Sequence, residues 1–163
     1  MRRPPKPPGG RPFSSKSLSP SYQRYHSLCL DAKNFFDAKD YDTALRIYEK
    51  ALGEAPASDF TALKGVCRCT RKQARKALKK GNTPEVQRLL EALLKRPHVA
   101  PLLGGKDYQV LAEAALENGD LACCAEALRQ ALAIKPELAA ELHNLQKRLR
   151  TEQLHQDMRD MRF

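Results

Sequence analysis

Apolar residues along this chain recur at steps of three and four and never settle into sustained alternation. A period near 3.6 buries one stripe of a helix, whereas a half-buried strand requires a period of two. The pattern therefore predicts an all-α chain with no strands. Punctuation divides it into helices. Ser19-Pro20 reads as an N-cap with proline at the first helical position, opening a helix over about 20–38. A second helix follows Asp40 and ends near Glu54, before Pro56. The third runs from about Ser58 to Lys80 and stops at Gly81-Asn82, where glycine suits the left-handed end of a helix. Thr83-Pro84 opens the fourth, which ends before Pro97. Beyond the linker HVAPLLGG, the fifth covers about 106–118 and the sixth 121–134, and the last starts near Pro136.

The order helix, turn, helix, proline recurs three times, which is the mark of a repeat architecture. Residues 39–56 align without a gap to 119–136. Asp40 faces Asp120, Tyr41 faces Leu121, Ala44 faces Cys124, Tyr48 faces Leu128, Ala51 faces Ala131 and Pro56 faces Pro136. Small residues let the second helix of a pair lie close to the first, the large one fills the gap to the next pair, and proline ends the unit. These residues resemble the tetratricopeptide repeat (TPR) family. Leu28, Ala32 and Phe35 stand at the family's large, small and aromatic first-helix positions, and Tyr108, Leu111, Ala112 and Ala115 do so in the last unit. The middle unit departs from the pattern. Pro56 and Pro97 lie 41 positions apart, seven more than the family's 34-residue period. Pro97 and Pro136 lie 39 apart, five more. Seven residues are about two helical turns, so the first excess is assigned to an overlong third helix and the second to the linker at 98–105.

The resemblance implies about three helix-pair units, 25–56, 57–97 and 105–136, within a repeat domain over 19–136. It also implies a concave face that takes a peptide or helix of a partner protein, with Cys29, Lys33, Lys106, Gln109 and Glu113 as candidate groove residues. Many members of the family hold C-terminal carboxylates of chaperone peptides with a Lys/Asn/Arg clamp. The corresponding positions here are Cys29, Lys33, Ala62, Lys106 and Val110, of which Lys106 alone matches, so a chaperone tail is not the expected ligand. Residues 137–163 form a capping helix in this reading: Leu138, Leu142, Leu145 and Leu149 make one apolar stripe, which Met158 and Met161 extend.

Composition sharpens this picture. Residues 1–18 combine proline, glycine, serine and basic residues with almost nothing to bury, so a disordered tail is expected. Within it, Arg2-Arg3-Pro4-Pro5-Lys6-Pro7-Pro8 fits the basic-plus-PxxP form that SH3 domains read in the polyproline II conformation. Prolines follow the N-terminal basic residues where a signal peptide would be apolar, and no run is long enough to span a membrane, so an intracellular protein, cytoplasmic or nuclear, is expected. Five cysteines, an odd number, do not suggest a disulfide framework.

The net charge is +10, and its largest concentration is the third helix. Between Phe60 and Pro84 stand Lys64, Arg68, Arg71, Lys72, Arg75, Lys76, Lys79 and Lys80, with no acidic residue. At 100° per residue they occupy one half of the helix, opposite Phe60, Leu63, Val66, Cys67, Ala74, Ala77 and Leu78. A merely solvated face gains from mixed signs at i,i+4, and like charges repel. The eight residues are therefore a candidate patch for an anionic partner. No aromatic is interleaved among them, which disfavours base-stacking recognition of single strands.

Catalytic and cofactor signatures are missing from the pattern. Cys67-x-Cys69 and Cys123-Cys124 have the wrong spacing for zinc, the four histidines are scattered, and on the helical wheel Cys67 faces the core while Cys69 does not. Gly104-Gly105 follows no strand and precedes no Lys-Ser/Thr pair. The sequence reading is a non-catalytic adaptor without cofactors that binds a protein segment and carries an accessory basic helix. The alternative is a nucleic-acid or chromatin-associated protein whose main site is the helix at 60–80.

Overall fold

The structure is a computed structural model that describes residues 19–56 and 58–162. Seven α-helices follow in order: α1 Pro20–Asp37, α2 Tyr41–Leu52, α3 Thr61–Lys79, α4 Thr83–Leu94, α5 Gly105–Glu117, α6 Leu121–Ile134 and α7 Ala139–Asp160. Single 3₁₀ turns at Ala100–Leu102 and Pro136–Leu138 join the later ones, and the described residues contain no strand. The expected disordered tail and its proline motif lie outside the described residues.

Each helix packs mainly on its neighbours in the chain. Side-chain contacts give the directions. The Ser21 hydroxyl of α1 donates to Glu54 just past the end of α2 at 3.0 Å, so that pair is antiparallel. Thr83 at the start of α4 meets Asn118 at the end of α5. Lys106 and Glu117 of α5 meet Glu141 and Arg148 of α7, so those two helices run parallel.

The three turns within pairs are built alike. Lys39, Gly81 and Gly119 all take positive φ, at 64°, 71° and 77°. The next residue in each case, Asp40, Asn82 or Asp120, caps the following helix by accepting the N–H three residues on. Its own N–H returns to Phe35, Ala77 or Ala115, closing the end of the preceding helix. Glycine adopts this backbone without strain at two of the turns, and Lys39 adopts it without that advantage.

Counting from these caps sets the register of the middle unit, which proline spacing alone did not fix. Positions four, eight and eleven after the cap are Ala44, Tyr48 and Ala51 in α2, Val86, Leu90 and Leu93 in α4, and Cys124, Leu128 and Ala131 in α6; all nine are buried. Eight before the cap stand Ala32, Ala74 and Ala112, also buried. The middle unit looked loose because Val86, Leu90 and Leu93 replace the small–large–small set.

The excess length of the middle unit appears as a stagger. α3 has 19 residues against 18 in α1, so length alone is not the anomaly. The Tyr25 hydroxyl accepts the Ala62 N–H at 3.1 Å, which places the start of α3 beside the first turns of α1. At the other end the α1–α2 turn reaches only Gln73, which donates to Asp42 at 2.6 Å. The last two turns of α3 therefore run about 10 Å beyond that turn at 1.5 Å per residue. The linker fills the opposite end, with Val99 and Leu103 buried and His98 edge-on to Phe60.

Three expectations are corrected. Phe35 is 40% exposed, and Phe36 packs in its place, edge-on to Tyr41. Cys69 is fully buried, because α3 is covered on the α2 side as well as the α4 side. Leu138, Leu142, Leu145 and Leu149 are buried, but Met158 and Met161 are exposed, as is Leu154. They lie about 120–180° round the helix from Leu149 at 100° per residue, so they cannot extend its stripe.

Candidate functional site

The cap register joins two features that the sequence presented separately. Cys29 and Lys33 stand eleven and seven positions before Asp40, and Gln109 and Glu113 stand eleven and seven before Asp120. The same offsets from Asn82 fall on Arg71 and Arg75. Lys106 corresponds in this register to Arg68. In this register Arg68, Arg71 and Arg75 of the cationic patch are the α3 counterparts of the groove candidates on α5, and Arg71 and Arg75 of those on α1. Ala62, the clamp position expected of the middle unit, is buried at the start of α3.

The eight basic residues, seven in α3 and Lys80 at its C-cap, divide by what they touch. Arg71 is spent internally: it is half-buried, and its guanidinium grips the Asp107 carboxylate at 2.9–3.1 Å and donates to the Leu102 carbonyl at 2.7 Å. The hydrogen bonds to Asp107 also raise its already high pKa. It therefore leaves the patch, because the geometry uses it to fasten the linker and α5 to α3. Arg68 is exposed and lies over the Phe36 ring, 4.5 Å from its centroid, a cation–π contact that bridges α1 and α3. Lys64, Lys72, Arg75 and Lys79 are exposed and have no ion pair among the described residues. Their spacing makes a row about 22 Å long at 1.5 Å per residue. Lys76 and Lys80 turn towards α2 and α4, where the stagger leaves them exposed.

The flanking helices supply a different mixture. Lys33 is exposed, but Cys29 is buried against Tyr25 with its thiol pKa raised by burial, so it is core and does not line a groove. Lys106 pairs with Glu141 at 2.5 Å, and Arg148 pairs with Glu117 at 2.5 Å. Gln109 donates to Glu113 at 3.1 Å, while its carbonyl oxygen is buried without a partner among the described residues. The face is cationic along α3 and carries carboxylates along α5 and α7.

One cluster had no signal in the sequence. Cys123 donates its thiol to Glu91 at 3.3 Å, and Gln87 donates to both Glu91 and Asp120. The ligand atoms of Glu91, Asp120 and Cys123 lie within 4.8 Å of one another. Burial and then the hydrogen bond to Glu91 push the Cys123 thiol up to about 12. The residues come from two helices 32 positions apart, so no local motif announces them.

No helix among the described residues is long and apolar enough to cross a membrane. No protein-family model, curated protein or solved structure matches the chain.

Proposed function

We propose that this chain is a non-catalytic interaction module of the TPR type, in which α1–α2, α3–α4 and α5–α6 are three repeat units and α7 is their cap. A peptide or helix of a partner protein lies on the face of α1, α3 and α5. The observation that carries this reading is the exposed row of Lys64, Arg68, Lys72, Arg75 and Lys79 along one side of α3, with no ion pair among the described residues. Such a row repels itself, and an anionic partner relieves it. The carboxylates along α5 and α7 favour a narrow acidic segment over a broad polyanion, which would meet them as well. A second reading, nucleic acid on the same row, is favoured by the net charge of +10.

The test is affinity capture on the full chain followed by mass spectrometry, with and without nuclease. The comparison chain carries Lys64, Arg68, Lys72 and Arg75 reversed to Glu and leaves Arg71 intact. Partner proteins that survive nuclease and disappear with the reversal support the adaptor. Loss of every partner after nuclease moves the assignment to nucleic acid. Retention of all partners by the reversed chain would make the row a solvated face.

A further inference from the structure

We infer that the cleft between α2 and α4 is a second docking site, for a protein segment that carries an apolar side chain beside carboxylates. This goes beyond the groove reading and uses other residues. The cleft exists because α2 begins level with Gln73 while α3 continues for two more turns. Its volume is about 570 Å³, a size that takes anchoring side chains.

Its floor and its rim differ in chemistry. Leu45, Ala77, Leu89, Ala92 and Leu93 give an apolar lining from three helices. At the rim, Arg88 pairs with Glu85 and Arg96 pairs with Glu49, so those charges cancel. Asp42 accepts from Gln73. Lys76 and Lys80 remain, exposed and without an ion pair among the described residues. Gln73 also lines the cleft.

This combination selects the occupant. Two free ammonium groups attract carboxylates, and the apolar floor gains by desolvation when a leucine-like side chain enters. A nucleic acid offers phosphates to the lysines but no aliphatic side chain to the apolar floor. The complementary surface is therefore an acidic segment with an aliphatic anchor.

The experiment uses the full chain and a short fluorescein-labelled peptide of glutamate and leucine in helical spacing, read by fluorescence anisotropy. Lys76→Glu with Lys80→Glu should weaken binding at least about tenfold. Ala92→Trp fills the cleft from an exposed position and should have a similar effect. Lys147→Glu with Arg150→Glu makes the same charge change on α7, at exposed positions outside both the cleft and the groove row, and should leave affinity within about threefold. Lys64→Glu with Lys72→Glu reports separately on binding to the groove row. A peptide with serine in place of leucine should bind more weakly, and binding should fall as salt rises. Circular dichroism checks that each variant keeps its helices. If the Lys64/Lys72 variant loses the peptide and the two cleft variants retain it, the cleft proposal falls while the groove reading stands. Failure of the peptide to bind the wild-type chain, or tighter binding of a single-stranded oligonucleotide, overturns the cleft proposal.

Discussion

Replacing Arg71 with Met should cost this protein far more than replacing any other cation of α3. Arg71 makes four hydrogen bonds, three to Asp107 and one to the Leu102 carbonyl. Methionine keeps much of the aliphatic stem and removes all four. Asp107 is then left with the Gly104 N–H as its remaining donor. Two unit charges 4 Å apart attract by about 4 kcal/mol at an effective dielectric near 20. The side chains of Arg71 and Asp107 are 28% and 15% exposed, so desolvation offsets part of that attraction. A coupling of about 1–3 kcal/mol remains. Adding the orphaned Leu102 carbonyl brings the expected loss for Arg71→Met to about 2–4 kcal/mol. At this chain length that lowers Tm by about 5–12 °C. Arg75→Met, at an exposed position one helical turn away, should stay within about 0.5 kcal/mol. Urea and thermal melts followed by circular dichroism measure both, and a double-mutant cycle with Asp107→Asn isolates the coupling. A coupling under about 0.5 kcal/mol, or equal losses for Arg71→Met and Arg75→Met, would refute the assignment of Arg71 to the scaffold.

Other consequences are open to direct measurement. Ala51→Arg and Ala131→Arg each place a charge at a fully buried helix contact and should destabilise by at least about 3 kcal/mol; unchanged melting temperatures for both would contradict the repeat register. Burial pushes the Cys69 and Cys124 thiols up to about 11, so in native buffer at pH 8 they should react with Ellman's reagent at least about 100-fold more slowly than a free cysteine. Reaction at the free rate before denaturant is added would show that these thiols are not in the core. The Asp59 carboxylate is held below its ordinary pKa by the Tyr25 hydroxyl and then by the Thr61 N–H. Its contribution is complete above the unfolded value of about 4 and is lost as pH falls through the lower folded value. Asp59→Asn should therefore flatten the fall in stability below about pH 4 in urea melts; an equally steep acid limb in the variant would count against this bond.

What the sequence determined by itself was local. Helix periodicity, the Ser19-Pro20 cap and the stop at Gly81-Asn82 act within a few residues, so the first six helices were readable to within two or three positions of their ends. The small–large–small match of Ala44, Tyr48 and Ala51 to Cys124, Leu128 and Ala131 was readable because both helices pack in the same way. Tertiary structure decided the rest. A helical wheel has one buried and one free half, whereas α3 is covered by α2, by α4 and by the linker, so Cys69 is buried against the wheel and Arg71 is drawn to Asp107, 36 positions away. Proline spacing gave no register for the middle unit, because prolines end helices without fixing where the next one docks. The turn at Asn82 fixes it, and with it the match of Arg68, Arg71 and Arg75 to positions on α5. The cleft beside Lys76 and Lys80 depends on how far α2 reaches along α3, a distance set by packing between helices and absent from any single helix.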